Sequence, residues 1–258
     1  MSLNFTIKRF FSIGTQGGQF MKKFYKKATV QKLENPEHSN HLYGVFLDGK
    51  IIRTPLRNKL ALPTYELAFV IAHEFNMQNE YLKPATMPIT SISRTTVDMD
   101  IQQNIRQHIE DSVNQFVRND TILFREEGKL GDIQNAKLNP VIEYVNKLMN
   151  IKLQPTESLF SRELEDVEKE NIQKYIASKD NWTLMAIEQA TVNTKSTCLG
   201  VSLINGFLSI EQALEYSRLE ENFQIEQFGM VEGSHDLEEN TTLLNISTAK
   251  LFSYLANL

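Results

Sequence analysis

Leu42-Tyr43-Gly44-Val45-Phe46-Leu47-Asp48-Gly49-Lys50-Ile51-Ile52-Arg53-Thr54 decides the fold class of this chain. Apolar residues on both sides of Asp48-Gly49 read as two strands, Leu42–Leu47 and Lys50–Thr54. Asp-Gly is the dipeptide that a two-residue type I′ turn demands, because both central positions need positive φ. A hairpin is expected here. Ala28–Leu33 reads as a strand before it, and Leu60–Leu62 as a short one after it that Pro63 ends. Tyr25, Tyr43 and Phe46 interleave with lysines and read as one face of a sheet on a core, against the alternative of a base-stacking platform.

From Thr64 onward the apolar period changes from two to about 3.6. Thr64 can cap a helix with Leu67, Val70, Ile71 and Phe75 on its inner face, and the stretch carrying Pro84 and Pro88 reads as loop or turn. Ile101, Ile105, Ile109, Val113, Phe116 and Val117 form one stripe. Asn139-Pro140 looks like a cap with Pro at the first helical position. Asp180 can cap a long helix running through Trp182, Met185, Ala186, Cys198 and Leu203. Ser209-Ile210-Glu211-Gln212 is a capping box whose helix Gly229 would stop. A last helix carries Leu243, Leu244, Leu251, Phe252 and Leu255. Strands first and helices afterwards define an α+β chain: a small N-terminal α+β domain with antiparallel strands, residues 20–115, and an all-α C-terminal domain, residues 116–258.

The 258 residues carry 27 Lys and Arg against 32 Asp and Glu, and their distribution is uneven. The first 33 residues hold seven bases and no acid, so the rest of the chain is strongly acidic. An acidic body lacks the basic stripe that nucleic acid requires, which excludes a nucleic-acid partner. One cysteine, Cys198, excludes a disulfide scaffold and a cysteine metal cage, and its apolar neighbours Leu199 and Val201 make it an inert buried thiol. Residues 1–19 read as a mitochondrial transit peptide: acid-poor, basic, with Leu3, Ile7, Phe10 and Phe11 on one helical face. Arg9-Phe10-Phe11-Ser12-Ile13-Gly14 resembles a two-step matrix-processing pattern that would start the mature chain near Gln19. No apolar run is long enough for membrane insertion.

Local catalytic signatures are missing. The chain has no G-x-S-x-G, no P-loop and no G-x-G-x-x-G after a strand. Asn193-Thr194-Lys195-Ser196-Thr197 lacks the glycines of a phosphate loop and is expected inside a helix with Lys195 facing solvent. His73-Glu74 finds Met77 where a zinc helix would place its second histidine, so no metal site is expected, and His38 and His41 read as solvated loop histidines beside Glu34 and Glu37. One feature stands out. Residues 205–258 hold nine acids against Arg218 and Lys250, and within them Glu226-Gln-Phe228-Gly-Met-Val-Glu232-Gly-Ser-His235-Asp236 forms a helix–loop–helix corner. Carboxylates beside an aromatic ring can clamp a partner's Arg or Lys. The competing reading has Asp236 capping the last helix and His235 paired with Glu232.

The chain resembles the ATP12 family of mitochondrial F1-ATPase assembly chaperones. The marks are Lys23–Lys26, Val45–Lys50 with Arg53-Thr54-Pro55, Ala72-x-Glu74-Phe75-x-x-Gln78, and Met87-Pro88-Ile89-Thr90. Asp120-Thr121, the Lys195-Ser196 helix and Glu226–Asp236 complete them in the family's order. The chain departs at Phe75 and Phe228, where the family more usually has Trp, so the indole donor is lost. The resemblance implies a matrix protein that binds the unassembled α subunit of F1 ATP synthase, prevents its aggregation until the β subunit arrives, and needs no cofactor or nucleotide; a monomer is expected. It places partner binding at Glu226, Phe228, Glu232, His235 and Asp236. The alternative is a small-molecule enzyme using Glu232, His235 and Asp236 as acid–base groups.

Overall fold

The computed structural model describes residues 15–16, 19–34, 41–158, 160–229, 233 and 235–258. Leu3 to Phe11, the Arg9–Gly14 pattern, Gly17-Gly18, Glu37, His38 and Glu232 lie outside the described residues. The chain divides into two compact units: residues to Arg106 together with Phe252–Leu258, and Gln107–Leu251.

The first unit contains a two-residue antiparallel pair, β1 (Thr15–Gln16) and β2 (Gln19–Phe20), and a four-stranded antiparallel sheet. In the sheet β4 (Tyr43–Leu47) pairs with β3 (Ala28–Lys32) along one edge, and with β5 (Lys50–Ile51) and β6 (Ala61–Leu62) along the other. The expected hairpin is present. Asp48 and Gly49 adopt φ values of 45° and 83°, and Phe46 faces Ile51 across the turn. Asp48 also accepts the backbone N–H groups of Lys26 and Lys27 at 2.9 and 3.0 Å, which holds its carboxyl below the usual range. Strand alternation puts Val45 and Leu47 in the core. Tyr43 shares their parity and Phe46 does not, so these two rings lie on opposite faces and do not form the single stripe expected. Gly44 sits on the Phe46 side, where a Cβ would come 3.0 to 3.1 Å from Leu33, Ile51 and Phe46.

Helix α1 (Tyr65–Asn76) buries Leu67, Ala68, Ile71, Ala72 and Phe75. Thr64 caps it as expected, accepting from Leu67 N–H, and its hydroxyl also donates to Leu255 C=O at 2.6 Å. That bond belongs to the packing of Phe252–Leu258 in the first unit, whereas the sequence assigned these residues to the C-terminal domain, 116–258. Periodicity shows which face of a helix is buried but not what buries it. The Pro84–Pro88 stretch is also more regular than expected. Pro84–Thr86 is a 3₁₀ turn, and Pro88 opens α2 (Pro88–Met99) from the first helical position, where its missing N–H costs nothing.

The second unit is helical. Helix α3 (Gln103–Arg118) buries Ile105, Ile109, Val113 and Val117, while Ile101 lies before it and is exposed. Helix α4 (Gly128–Met149) starts well before Asn139-Pro140, so Pro140 is interior. It is tolerated because Pro140 and Ala136, whose carbonyl loses its donor, both face solvent. Asn139 does not cap; its Oδ1 accepts from Arg125 at 2.9 Å. Helix α5 (Asp166–Ala177) follows, and Asp180 caps α6 (Asn181–Thr194). The long helix expected from Asp180 is two helices, because Lys195 turns left-handed at φ 57° and Ser196 caps α7 (Thr197–Ile204). The two pack backbone to backbone: a Cβ on Gly200 would lie 2.6 Å from Thr191 Oγ1 and 2.8 Å from Thr191 N. The Ser209 capping box opens α8 (Ile210–Ser217), which breaks at Arg218 before α9 (Leu219–Phe228) ends at Gly229 with φ 88°. Helix α10 (His235–Ala256) buries Ile246, Ala249, Phe252 and Leu255 but leaves Leu243, Leu244 and Leu251 exposed, not in the core. Among the described residues no helix is long and apolar enough to cross a membrane.

Candidate partner-binding surface

In the first unit several of the residues that mark the family are internal clamps, although Phe24 among them is exposed. The buried Tyr25 donates its hydroxyl to Phe75 C=O at 2.7 Å and sets its ring edge-on to Phe75; burial pushes its pKa up to about 12. Gln78 is buried and organises the turn after α1. Its Oε1 accepts Lys83 N–H at 2.8 Å, its Nε2 donates to Glu74 C=O and Thr86 Oγ1, and its carbonyl accepts Lys23 Nζ at 2.7 Å. Glu74 takes the N–H groups of Ile89 and Thr90 and the Thr90 hydroxyl, at 2.9, 2.8 and 2.5 Å. Its carboxylate therefore caps α2 from a distance, although burial raises its pKa. Thr54 and Asn58 both donate to the buried Asp98, at 2.6 and 2.7 Å. The neighbouring His73 is exposed, and His41 is buried with Nδ1 3.7 Å from Asp100 Oδ2, so it is not the solvated loop residue expected.

The marks in the front part of the second unit behave alike. Asp120 is fully buried and accepts Ile122 N–H at 3.2 Å and Cys198 N–H at 2.9 Å, holding the start of α7. Burial raises its pKa, and the bonds from Ser196 and Cys198 work against that rise. Burial and the adjacent Asp120 push the Cys198 thiol well up, which fits an inert core sulfur. Thr121 Oγ1 donates to Lys195 C=O at 3.1 Å, so Lys195 acts through its backbone; its exposed ammonium lies 3.6 Å from Glu238. Lys195 is at a helix end and not inside a helix.

The C-terminal corner is different, because its described residues face solvent. Glu226 is exposed in the last turn of α9, and Phe228, the final residue of that helix, is 89% exposed. A phenylalanine that open has no packing role among the described residues. Gly229 ends α9 because its positive φ turns the backbone while its N–H still reaches Ile225 C=O at 2.8 Å. Helix α10 begins at His235, so Asp236 is exposed in its first turn and is not the cap; there it complements the helix dipole. Glu226 and Phe228 thus share one helical turn and Asp236 opens the next helix, while Glu232 lies outside the described residues. The pairing of His235 with Glu232 does too. Leu237, Leu244 and Leu251, exposed on α10, are candidate contact residues that the sequence reading did not single out as such; their seven-residue spacing is the signal that was available.

The described residues thus combine an α+β unit whose buried marks clamp its turns with a helical unit that carries an open acidic, aromatic corner. The chain is similar to the ATP12 family: the family model described as ATP12 chaperone protein matches residues 22–146. It is 24% identical over 276 residues to Protein ATP12, mitochondrial, of Saccharomyces cerevisiae, covering 90% of this chain and 84% of the relative. Protein atp12, mitochondrial, of Schizosaccharomyces pombe is 23% identical over 245 residues, covering 90% and 82%. The crystal structure of Atp12 from Paracoccus denitrificans shares the fold at a TM-score of 0.80 and 23% identity, over 92% of this chain and 98% of that one. Atu1473 of Agrobacterium tumefaciens matches at 0.78 and 24%, over 91% and 85%. The family is one of chaperones, not enzymes, so the acid–base reading of Glu232, His235 and Asp236 is not carried forward, and the relatives' names put the chain with its mitochondrial members.

Proposed function

We propose that this chain serves F1-ATPase assembly in the mitochondrial matrix by binding the unassembled α subunit of F1 ATP synthase, as a monomer and without a cofactor, until the β subunit takes its place. The observation that carries the reading is Phe228, almost fully exposed with Glu226 in the same turn and Asp236 opening the next helix. An unassembled ring subunit exposes apolar surface that drives aggregation, and a chaperone covers it with apolar surface of its own. Carboxylates around that surface speed encounter with a basic client and add modest affinity, which permits release. Partner binding is assigned to Glu226, Phe228, Glu232, His235 and Asp236.

The test is rescue of α-subunit solubility by Glu232→Lys, with Glu211→Lys as the net-charge control. Glu211 is exposed at the start of α8, before the corner in the chain. Glu232→Lys should abolish rescue with an unchanged melting temperature, and Glu211→Lys should rescue normally. Unfolding by Glu232→Lys would make the corner a structural brace, and normal rescue by both variants would remove it as the client site. Binding should also weaken with salt, since exposed charges are screened over ~8–10 Å at ordinary ionic strength.

A further inference from the structure

Leu237, Leu244 and Leu251 recur every seventh residue of α10 and are 66%, 53% and 45% exposed. A seven-residue step drifts by only ~20° on a straight helix, so the three form one row. The face that holds α10 in its own unit is a different one. Ile246 and Ala249 are fully buried, Asn245 Nδ2 donates to Asn193 Oδ1 at 2.7 Å, and Lys250 Nζ donates to Leu203 C=O and Ile204 C=O at 2.8 and 3.1 Å. Asn240 and Ser247, three residues beyond Leu237 and Leu244, place short polar side chains beside the row, and Asn240 Nδ2 donates to Asp236 C=O at 2.7 Å within the helix.

Charge selects the occupant. Asp236, Glu238 and Glu239 are exposed in the first turns of α10, and the one Lys or Arg of the helix, Lys250, is committed to the α7 carbonyls. Among the described residues the helix itself therefore offers leucine and carboxylate outward; Lys195 lies 3.6 Å from Glu238, while Asp236 and Glu239 form no ion pair with any described residue. Anionic lipid is repelled by such a face; helices that lie on membranes carry Lys and Arg beside their apolar stripe. A second copy aligned in parallel would set these acids against their equals.

We propose that the Leu237–Leu244–Leu251 row is a docking seam for an amphipathic helical segment of a client protein, one with an apolar stripe and a Lys- and Arg-rich polar face. This names the chemistry of the client contact and so rests on the chaperone reading.

The experiment uses the full chain and two 18-residue helical peptides, each with leucine at the a and d positions and either lysine or glutamate elsewhere. The lysine peptide should bind and the glutamate peptide should not. L237S/L244S/L251S keeps every acid and should lose at least tenfold in affinity for the lysine peptide at an unchanged melting temperature; the single Leu244→Asp serves if the triple variant does not fold. Asp236→Lys with Glu239→Lys should shift preference toward the glutamate peptide. Equal binding of the lysine peptide by the triple variant would reduce the effect to net charge and overturn the seam. A dimer in sedimentation that the triple variant abolishes would also overturn it, by making a second copy the occupant. Capture of α subunit by parent and triple variant alike would overturn the seam and leave the chaperone reading standing. Capture by neither, with the peptide pattern intact, would overturn the client assignment and leave the seam.

Discussion

Tyr25, Glu74, Gln78 and Asp120 carry the family resemblance from inside the protein, whereas Glu226, Phe228 and Asp236 carry it from the surface. The buried group spends its polar atoms on backbone N–H and C=O groups of other segments, so its chemistry is consumed in holding turns and helix ends. The exposed group leaves its acids and its ring open to solvent. Two sets of residues that look alike as sequence marks therefore differ physically: the first set fixes where the helices start, and the second is free to meet another protein. Substitutions should separate them by stability.

The largest effect is expected where two backbones touch. Gly200→Val must push α6 and α7 apart, since Thr191 N and Oγ1 lie within 3 Å of the new Cβ. Overpacking of this kind costs about 3 kcal/mol, to be read from urea denaturation. Asp120→Ala leaves the buried Ile122 and Cys198 N–H groups without their acceptor and should cost about 2 kcal/mol by the same measurement. A parental midpoint in either variant would break the distinction from the buried side.

Glu188 sharpens it through pH. The side chain is buried on α6, accepting only from Ser112 at 3.4 Å and Gln189 at 2.8 Å among its described hydrogen bonds, and burial raises its pKa. As pH rises through the ordinary carboxylate range, near 4, the unfolded chain releases this proton first, so the folded state loses stability until Glu188 also ionises. Glu188→Gln removes that cost. Its advantage over the parent should be absent below pH 4 and grow toward pH 7, and a pH-independent difference would show that Glu188 titrates normally. The smallest effect belongs to the surface: Glu226→Lys and Asp236→Lys should each leave stability within about 0.5 kcal/mol.

Much of this architecture is written locally in the sequence. Asp48-Gly49 requires its turn, and Thr64, Asp180 and Ser209 cap the helices they precede. What escaped reading depends on distance. The cap of α2 comes from Glu74, far back in the chain, so Pro88 looked like loop. The break between α6 and α7 has no glycine at the turn, and Lys195 takes the left-handed conformation because Asp120, Thr121 and Ser196 hold both sides of it. The spacing of Leu243, Leu244, Leu251, Phe252 and Leu255 marked the last helix but not its burial: the first three are exposed, and Phe252 and Leu255 are buried. Of the corner, the residue types and the end of α9 at Gly229 were legible, but an exposed Phe228 and a buried aromatic give the same letter.

The most direct measurement is capture of newly made F1 α subunit from matrix extract by the parent chain and by Glu226→Lys/Glu232→Lys/Asp236→Lys, with melting temperatures recorded for both. The expected result is capture by the parent, loss in the variant and closely similar melting temperatures. Equal capture by the two chains, or a variant that no longer folds, would contradict the assignment of this corner as the client site.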